Sequence, residues 1–434
     1  MVPSSGLMST ATIREPEREI PILKHTDVLV VGGGSAGVAA AVAAARGGAE
    51  VTLVERYGSL GGLATGGLIA LLLTLDDGRG RQVIGGLCQE ATERMQALGG
   101  AFHPPAAEWG SDDPALVEKY REWGLVWGGA SAHHRVRFSV AYDPEILRQV
   151  LADLVVESGV DLWLHMWGAD AIVEDGRLRG VVFQSKAGRQ AIIADVVIDA
   201  TGDSDVLASA GCRTERVNVH PWLWFRMGGV VDVDSALASG RGFFRTPNDG
   251  VVLFPWGSMA GSPKTIDPLD PRDLTFAELD CRRRVMDEVR ALRSDVPGME
   301  RAHICNIATQ LGITESRRLV GRSVLTRDDM NVDCDEAICV TGHWTKYGAV
   351  YAIPYSCLLT REIPNLLAAG RMISVDHRVH HATKEIPACV AVGQAAGSAA
   401  VLALAHGGDA TAVDASALRR RLSEDGALLD YFET

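Results

Sequence analysis

The chain has 434 residues, of which 47% are hydrophobic and 22% are charged, a composition typical of a folded protein rather than a disordered one. Its 42 lysines and arginines against 55 aspartates and glutamates give a formal net charge of −13, which disfavours binding to nucleic acid or to an anionic membrane. The chain is too long for one ordinary core, so we expect two interleaved domains.

The cysteine pattern argues against a metal centre. Eight cysteines are scattered along the chain and none forms a Cys-x-x-Cys pair, so a zinc site or an iron–sulfur cluster lacks local ligands. Cysteines scattered in this way are typically reduced thiols of a cytosolic protein. The first 24 residues contain no apolar segment of a secretory signal, and the longest apolar run, 68–73, is far shorter than the ~20 residues that span a bilayer. We therefore expect a cytoplasmic protein without membrane contact.

A strand–helix–strand unit opens the ordered part of the chain. Residues 1–24 are expected to form a flexible tail, and residues 27–31 are a short apolar run typical of a strand buried in a parallel sheet. An alanine-rich helix over 38–46 and a second strand over 50–55 complete a βαβ unit, whose crossover should be right-handed.

The later pattern indicates that a second domain is inserted into the first. A helix is predicted over 144–158, followed by strands over 161–165, 171–183 and 191–199. Residues 213–344 are richer in Trp, Pro and Gly, with a short strand at 250–254 and an amphipathic helix over 276–292. A buried strand over 365–370 and a small-residue helix over 387–405 then return the chain to the first domain. We therefore expect an α/β fold with a Rossmann-like domain over 25–212 and 345–434, and a mixed α+β cap that contacts the substrate over 213–344.

The strongest motif lies between the first strand and the first helix. In Gly32-x-Gly34-x-x-Gly37, glycine permits the tight turn, the approach of the backbone to a pyrophosphate and the close packing of helix on strand. The N-terminus of the helix then offers free N–H groups to the phosphates. The residues predicted to bind phosphate in this turn are Gly32, Gly34, Ser35, Ala36 and Gly37.

Glu55 ends the second strand, 18 residues after Gly37. A carboxylate at this position can accept both ribose hydroxyls of an adenosine, and it rejects a 2′-phosphate. A glycine-dense loop over 58–67 follows Glu55 directly. The sequence therefore predicts a dinucleotide site.

From this loop onward the sequence resembles the FAD-dependent oxidoreductases of the glutathione-reductase-like fold. Gly61, Gly62 and Thr65 match the family's Gly-Gly-x-x-Thr-like segment, which runs along the pyrophosphate and the flavin. Residues 197–203 resemble the Ala-Thr-Gly motif, and residues 367–371 with 393–397 resemble the motif that wraps the ribityl chain and aims a helix at the flavin ring. Beyond the glycine turn, the resemblance implies FAD contacts from Glu55, Arg56, Gly61, Gly62, Thr65, Ala200, Thr201, Gly202, Gly370, Arg371, Pro387 and Ala388.

The resemblance covers residues 25–85, 140–212 and 345–405, and within the cap residues 225–229 and 312–321 resemble a branch of the family described simply as FAD-dependent oxidoreductase. The chain has one dinucleotide motif and no active-site cysteine pair. We therefore expect an organic substrate to supply the electrons, with a hydride passing from its CH–OH or CH–NH group to flavin N5 and then to oxygen or an unknown acceptor. A monooxygenase served by a separate reductase, or a flavin-binding protein without turnover, remains an alternative. A homo-oligomer is also possible.

Hydride loss from an alcohol or amine requires a base, and histidine suits this role near neutral pH. His377, His380 and His381 lie between the ribityl-proximal turn and the flavin-directed helix, so we expect them beside the flavin, with His377 ranked first and His381 second. Lys384 is expected either to hold a flavin oxygen or to cap its own loop. Arg317 and Arg318 are expected to form salt bridges at a strand edge, with binding of an acidic substrate as the alternative. Trp222 and Trp224 are expected to be aromatics of the core or of the pocket wall.

Overall fold

The computed structural model describes residues 12–128, 133–256 and 265–432, and all structural statements concern these ranges. The strands are β1 (Ile22–Val31), β2 (Val51–Val54), β3 (Leu71–Leu72), β4 (Ala101–Phe102), β5 (Val140–Tyr142), β6 (Asp161–Trp163), β7 (Trp167–Glu174), β8 (Arg177–Ser185), β9 (Gly188–Asp199), β10 (Thr214–Arg216), β11 (Phe225–Gly228), β12 (Phe244–Arg245), β13 (Val252–Phe254), β14 (His303–Ile307), β15 (Arg317–Leu319), β16 (Ala337–His343), β17 (Lys346–Pro354) and β18 (Leu366–Ala368). The helices are α1 (Ser35–Arg46), α2 (Gly86–Ala97), α3 (Pro114–Arg121), α4 (Pro144–Glu157), α5 (Asp205–Ser209), α6 (Val233–Leu237), α7 (Pro271–Asp295), α8 (His380–Thr383), α9 (Ile386–Leu404) and α10 (Ala415–Glu424).

The central sheet contains seven strands and is parallel around β1. That strand lies between β2 and β9, and it is parallel to both. β6 extends the sheet beyond β2, and β18 pairs in parallel with the C-terminal end of β9. The N-terminal part of β9 pairs instead with the antiparallel hairpin of β7 and β8. This arrangement confirms the predicted α/β fold class.

Two helices cross closely on one face of this sheet. A Cβ atom on Gly393 or Gly397 of α9 would lie 2.1 Å from the carbonyl oxygen of Ala36 or Ala40 in α1, so only glycine permits this approach. Among the described residues, α9 is the one helix whose length and composition would allow it to cross a membrane, yet 83% of its apolar window is buried inside the protein. Its position is that of a core helix.

The inserted part of the chain forms a four-stranded antiparallel sheet in the order β12-β13-β11-β14. Its core includes the stacked rings of Phe225 and Phe254, whose centroids are 4.6 Å apart. The 25-residue helix α7 also belongs to this region, and it buries Ala277, Cys281, Val285, Val289 and Leu292. A mixed α+β region is therefore present where the sequence predicts the cap.

Two predicted boundaries differ from the structure. β1 begins at Ile22, inside the predicted flexible tail, because this end of the strand pairs with β9 and the ammonium group of Lys24 lies 2.9 Å from Asp161 and 3.1 Å from Glu50. The predicted end of the cap, between 344 and 345, falls in the turn that joins β16 to β17. These two strands pair with each other, and β16 packs against α9. The limits of the cap therefore stay a prediction.

Candidate functional site

A cavity of about 680 Å³ lies where the carboxyl ends of the parallel strands meet the inserted region. This edge of an open α/β sheet is the usual place for a ligand, and the volume is in the range of small-molecule sites. The glycine turn, the loop after β2, the segment after β9 and the start of α9 supply one wall. Residues of the inserted region supply the other, namely Pro268, Leu269, Pro271, Leu274, Glu278, Gln310, Leu311, Ile313, Thr314 and Arg317.

The three glycines of the turn differ in what surrounds them. Gly32 has a φ of +106°, and a Cβ on Gly37 would lie 1.8 Å from the carbonyl oxygen of Gly32, so both residues are required by the fold. A Cβ on Gly34 would meet no atom within 4 Å, and Gly34 lines the cavity. Gly34 is thus the glycine whose missing side chain leaves room for a ligand. Gly37 does not line the cavity.

Glu55 is buried at the end of β2 and reaches back to the turn. Its Oε2 accepts a hydrogen bond of 2.6 Å from the backbone N–H of Gly33, and its Oε1 accepts one of 2.8 Å from that of Tyr57. A carboxylate has about four lone-pair sites, so two hydroxyl donors can still be accommodated. The guanidinium of Arg56 lies 4.9 Å from the ring centroids of both Tyr57 and Trp167.

The loop after β2 approaches the glycine turn through its backbone. The N–H of Gly61 donates to the carbonyl oxygen of Gly33 at 2.8 Å, and Gly61 and Gly62 both have positive φ values. Both residues line the cavity. Thr65 does not, since it is buried and its hydroxyl donates to the carbonyl oxygen of Leu60 at 2.6 Å. Thr65 therefore stabilises the loop, and its assignment as a contact residue stays a prediction.

The segment after β9 forms a turn held by a buried carboxylate. Asp199 accepts hydrogen bonds from the backbone and hydroxyl of Thr201 and from the N–H of Leu207, while burial raises its pKa to about 6. The residues of this turn that line the cavity are Ala200, Thr201, Gly202 and Asp203.

A salt bridge connects this turn to the segment after β18. Arg371 lies 2.9 Å from the carboxylate of Asp203, and both line the cavity together with Gly370. Burial opposes ionisation of Asp203, but the guanidinium of Arg371 and the hydroxyl of Ser316 hold its pKa below the ordinary value. The buried Nε of Arg371 has no hydrogen-bond partner among the described residues. This free donor marks a place for an acceptor in the cavity.

Arg317 and Arg318 both form the expected salt bridges. Arg317 lines the cavity and lies 2.5 Å from Asp205. Arg318 is buried, lies 2.5 Å from Glu315, and also pairs with Glu215. Arg318 therefore connects elements of the fold and is not among the residues that line the cavity.

The three histidines predicted as bases do not line the cavity. His377 is 64% exposed, and its Nδ1 lies 3.0 Å from the buried carboxylate of Glu315. His380 is buried next to the same carboxylate, and its Nε2 donates to the carbonyl oxygen of Arg371 at 2.9 Å. His381 of α8 is exposed at the surface as a whole residue, and partial desolvation of its ring together with the positive charge of Lys384 lowers its pKa. Two of the histidines thus act as partners of Glu315, and a catalytic role for any of the three stays a prediction.

The start of α9 places the expected Lys384 in the cavity wall and adds Glu385, Ile386 and Cys389, which sequence reasoning missed. Lys384, Glu385, Ile386 and Cys389 line the cavity, whereas the predicted Pro387 and Ala388 are buried behind them. Burial raises the pKa of Glu385 to about 7, although Lys384 opposes this shift. No motif distinguishes Glu385 in the sequence. The one feature that could have indicated it is its position directly before a helix that has a proline in its first turn.

The residues of this cavity fit FAD. The open space at Gly34 admits a pyrophosphate next to the N-terminus of α1, Glu55 can accept ribose hydroxyls, and the free Nε of Arg371 can donate to an oxygen. The narrow turn at Gly32 and the loop at Gly61 then bring backbone rather than side chains to the ligand.

The chain is similar in sequence to curated proteins and in structure to solved proteins. Over 202 residues the chain is 29% identical to the fumarate reductase (cytochrome) of Shewanella frigidimarina, a match that covers 41% of this chain and 33% of that protein. The chain thus spans about a third of the length of the curated relatives it matches. Similar solved structures include a geranylgeranyl bacteriochlorophyll reductase-like protein from Thermoplasma acidophilum (15% identity, 94% of this chain and 83% of that chain, TM-score 0.48) and L-proline dehydrogenase from P. horikoshii (14%, 94% and 100%, 0.45).

The family model described as FAD dependent oxidoreductase matches residues 27–422, which is most of the chain. The match includes the glycine turn, the inserted region and α9, so it covers every wall of the cavity. The protein therefore belongs to the FAD dependent oxidoreductase family and is an oxidoreductase enzyme whose cofactor is FAD.

Proposed function

We propose that this enzyme is a dehydrogenase or oxidase that removes a hydride from a CH–OH or CH–NH group of a small organic molecule. FAD, when bound, accepts the hydride at flavin N5 and passes the electrons to oxygen or to another acceptor. The observation that carries the proposal is the carboxylate of Glu385 in the cavity wall, which can take the proton that leaves with the hydride.

Cys389 is the cysteine among the described residues that line the cavity. Burial raises the pKa of its thiol to about 12, and its Sγ lies 3.3 Å from the carbonyl oxygen of Lys384. A thiol held in the protonated form is a poor nucleophile, so this wall does not support disulfide exchange. This part of the wall therefore does not favour a dithiol as the electron source.

Glu385 is the group best suited to take the proton that leaves with the hydride. It lines the cavity, and no hydrogen bond to its carboxylate is found within the described residues. A general base is most effective when its pKa lies near the working pH, and burial brings the pKa of Glu385 to about 7. We therefore assign proton abstraction from the substrate O–H or N–H to Glu385, in place of His377.

The inserted region closes the cavity above the loop that follows β2. The backbone N–H groups of Thr309 and Gln310 donate to the carbonyl oxygen of Gly66 at 2.8 and 3.1 Å, and Gln310 lines the cavity. These bonds fix the segment around Thr309 and Gln310, which covers the cavity, relative to the glycine-rich loop after β2. A substrate bound beneath it is shielded from water, which strengthens the electrostatic interactions around it.

The proposal is tested by anaerobic titration of the FAD-loaded protein with a panel of small alcohols and amines and of the corresponding hydroxy acids and amino acids. Bleaching of the flavin absorbance by at least one compound, with formation of its carbonyl or imine product, is the expected result. Bleaching only after addition of a reductase and a nicotinamide would contradict the proposal and indicate a monooxygenase.

A further inference from the structure

A second, smaller cavity lies between four helices beside the cavity that fits FAD. It has a volume of about 30 Å³, in the measure in which one water molecule needs roughly 10–15 Å³. Its walls come from α1, α2, α4 and α9, together with Leu72 of β3. We refer to it as the helix cavity and to the larger one as the FAD cavity. The helix cavity therefore has room for a molecule of about two heavy atoms.

The wall of the helix cavity is almost entirely apolar. α2 contributes Leu87, Ala91 and Met95, and α4 contributes three leucines at helical spacing. None of the described residues that line it carries a charge. Burial raises the pKa of the Cys88 thiol in this wall to about 12, so this group is neutral as well. An apolar cavity of this kind stays free of water and binds small apolar molecules.

The helix cavity faces the FAD cavity. The residues that line it are all buried except Ser35 and Ile386. These two residues also line the FAD cavity. The Ser35 hydroxyl donates to the carbonyl oxygen of Gly61 at 3.4 Å, and Gly61 belongs to the loop that lines the FAD cavity. The exposed part of the wall is thus on the side of the cofactor, and a molecule in the helix cavity would lie next to FAD.

Dioxygen is the small apolar molecule that reacts with a reduced flavin. The alcohols, amines and carbonyl products of the proposed oxidation are polar, whereas dioxygen is uncharged, has two heavy atoms and gains free energy on leaving water for apolar space. Electron transfer to dioxygen creates negative charge. The partial positive charge at the start of α9 and the ammonium group of Lys384, two residues before Ile386, favour this charge in the FAD cavity.

We propose that the helix cavity holds dioxygen and delivers it to the reduced flavin, so that the enzyme is an oxidase. Dioxygen takes two electrons from the anionic reduced flavin, together with the proton of N5–H and one proton from solvent. Oxidised flavin remains, and hydrogen peroxide leaves with its O–O bond intact. This inference rests on the proposed function, since it names the acceptor of the electrons that the organic substrate supplies.

Xenon is the probe for binding, because it is apolar and enters dry protein cavities. Xenon NMR of the FAD-loaded protein is compared between the parent, Ala91→Leu and Ala97→Leu. Ala91 lines the helix cavity, so a leucine there fills it, whereas Ala97 is exposed at the end of the same helix. We expect saturable binding to the parent and to Ala97→Leu, and its loss in Ala91→Leu. No binding to the parent, or equal binding to Ala91→Leu, would overturn the inference.

Reoxidation of the flavin measures the delivery of dioxygen. The flavin is first reduced by light in the presence of EDTA, which needs no substrate, and is then mixed with dioxygen in a stopped-flow instrument. We expect Ala91→Leu to slow reoxidation roughly 3- to 10-fold, because an apolar site about the size of a methylene group is lost. Ala97→Leu should keep the parent rate. Ferricenium, an acceptor too bulky for the helix cavity, should reoxidise all three proteins equally. Equal rates with dioxygen for Ala91→Leu and the parent would contradict the proposal.

A second variant covers the case in which Ala91→Leu does not fold. Val42→Ile adds one methyl group to the same space from α1. Flavin content and midpoint potential are measured for every variant, and both should match the parent because neither Ala91 nor Val42 lines the FAD cavity. Slower reoxidation that is accompanied by an equal slowing with ferricenium would show an effect on the flavin itself, and it would overturn the inference.

The two proposals can fail separately. Bleaching by a CH–OH or CH–NH compound, with reoxidation by dioxygen that Ala91→Leu leaves unchanged, would keep the proposed function and overturn the oxygen site. Slower reoxidation by dioxygen in Ala91→Leu, in a protein that no such compound bleaches, would keep the oxygen site and overturn the proposed function.

Discussion

The carboxylate of Glu55 accepts a hydrogen bond of 2.6 Å from the backbone N–H of Gly33, so the end of β2 holds the glycine turn while its remaining lone pairs stay available. Glu55→Ala leaves the N–H groups of Gly33 and Tyr57 unpaired and removes the acceptor for ribose. We expect FAD binding to weaken by roughly 1–3 kcal/mol, measured by retention of FAD after dilution. Full occupancy in this variant would show that Glu55 does not bind the ribose.

Gly34 and Gly37 offer a matched pair of substitutions. Gly34→Val places its side chain in open space, so the protein should fold with nearly unchanged thermal stability but lose FAD. Gly37→Val places a side chain against the carbonyl oxygen of Gly32, so it should destabilise the fold itself. Thermal unfolding and flavin content are measured for both variants. A fully FAD-loaded Gly34→Val protein would contradict the assignment of the pyrophosphate site.

The start of α9 and Lys384 place positive charge at one end of the cavity. Reduced flavin is anionic, so this charge should raise the flavin reduction potential. We expect Lys384→Gln to lower the midpoint potential by about 20 mV, equivalent to about 1 kcal/mol for a two-electron couple. Lys186→Gln, on the exposed turn between β8 and β9, is the control and should leave it unchanged. An unchanged potential in Lys384→Gln would place the reduced ring away from this end.

The assignment of Glu385 as the base gives a pH dependence of defined sign. The carboxylate accepts a proton only when ionised, so the rate of flavin reduction by substrate should rise with pH through about 7 and then level off. Glu385→Gln should keep FAD, slow this step roughly 10²–10⁴-fold and remove the pH dependence.

His377→Ala and His381→Ala are the comparison variants, since neither residue lines the cavity. Stopped-flow absorbance should show that substrate reduces the flavin of both variants at close to the rate of the parent protein. If one of them slows and Glu385→Gln does not, the base is that histidine and the assignment to Glu385 is wrong.

The parts of the fold that sequence reasoning predicted correctly are those with a local signal. The apolar run of β1, the glycine turn at Gly32 and the alanines of α1 are consecutive in the chain, and each pattern indicates its structure without knowledge of distant residues. Gly393 and Gly397 are also visible as small residues at helical spacing. Their contact with Ala36 and Ala40 depends on a helix crossing that joins residues more than 350 positions apart in the chain.

The parts that could not be predicted depend on contacts between distant segments. Glu315 is buried beside Arg318 and therefore draws His377 and His380 toward itself, across more than 60 residues of sequence. Arg137 donates to the carbonyl oxygen of His343, which is 206 residues away. Nothing in the neighbouring residues indicates either contact, so the sequence places His377 and His380 at the flavin and does not single out Arg137.

The most direct test of the central claim is a single-turnover, anaerobic stopped-flow measurement with a substrate that bleaches the flavin and with the same substrate carrying deuterium on the carbon to be oxidised. The account predicts that the flavin is reduced without any reductase and that reduction is slower with the deuterated compound, because the C–H bond breaks in that step. Reduction that requires a reductase, or reduction at the same rate for both compounds when chemistry limits it, would contradict hydride transfer from the organic substrate.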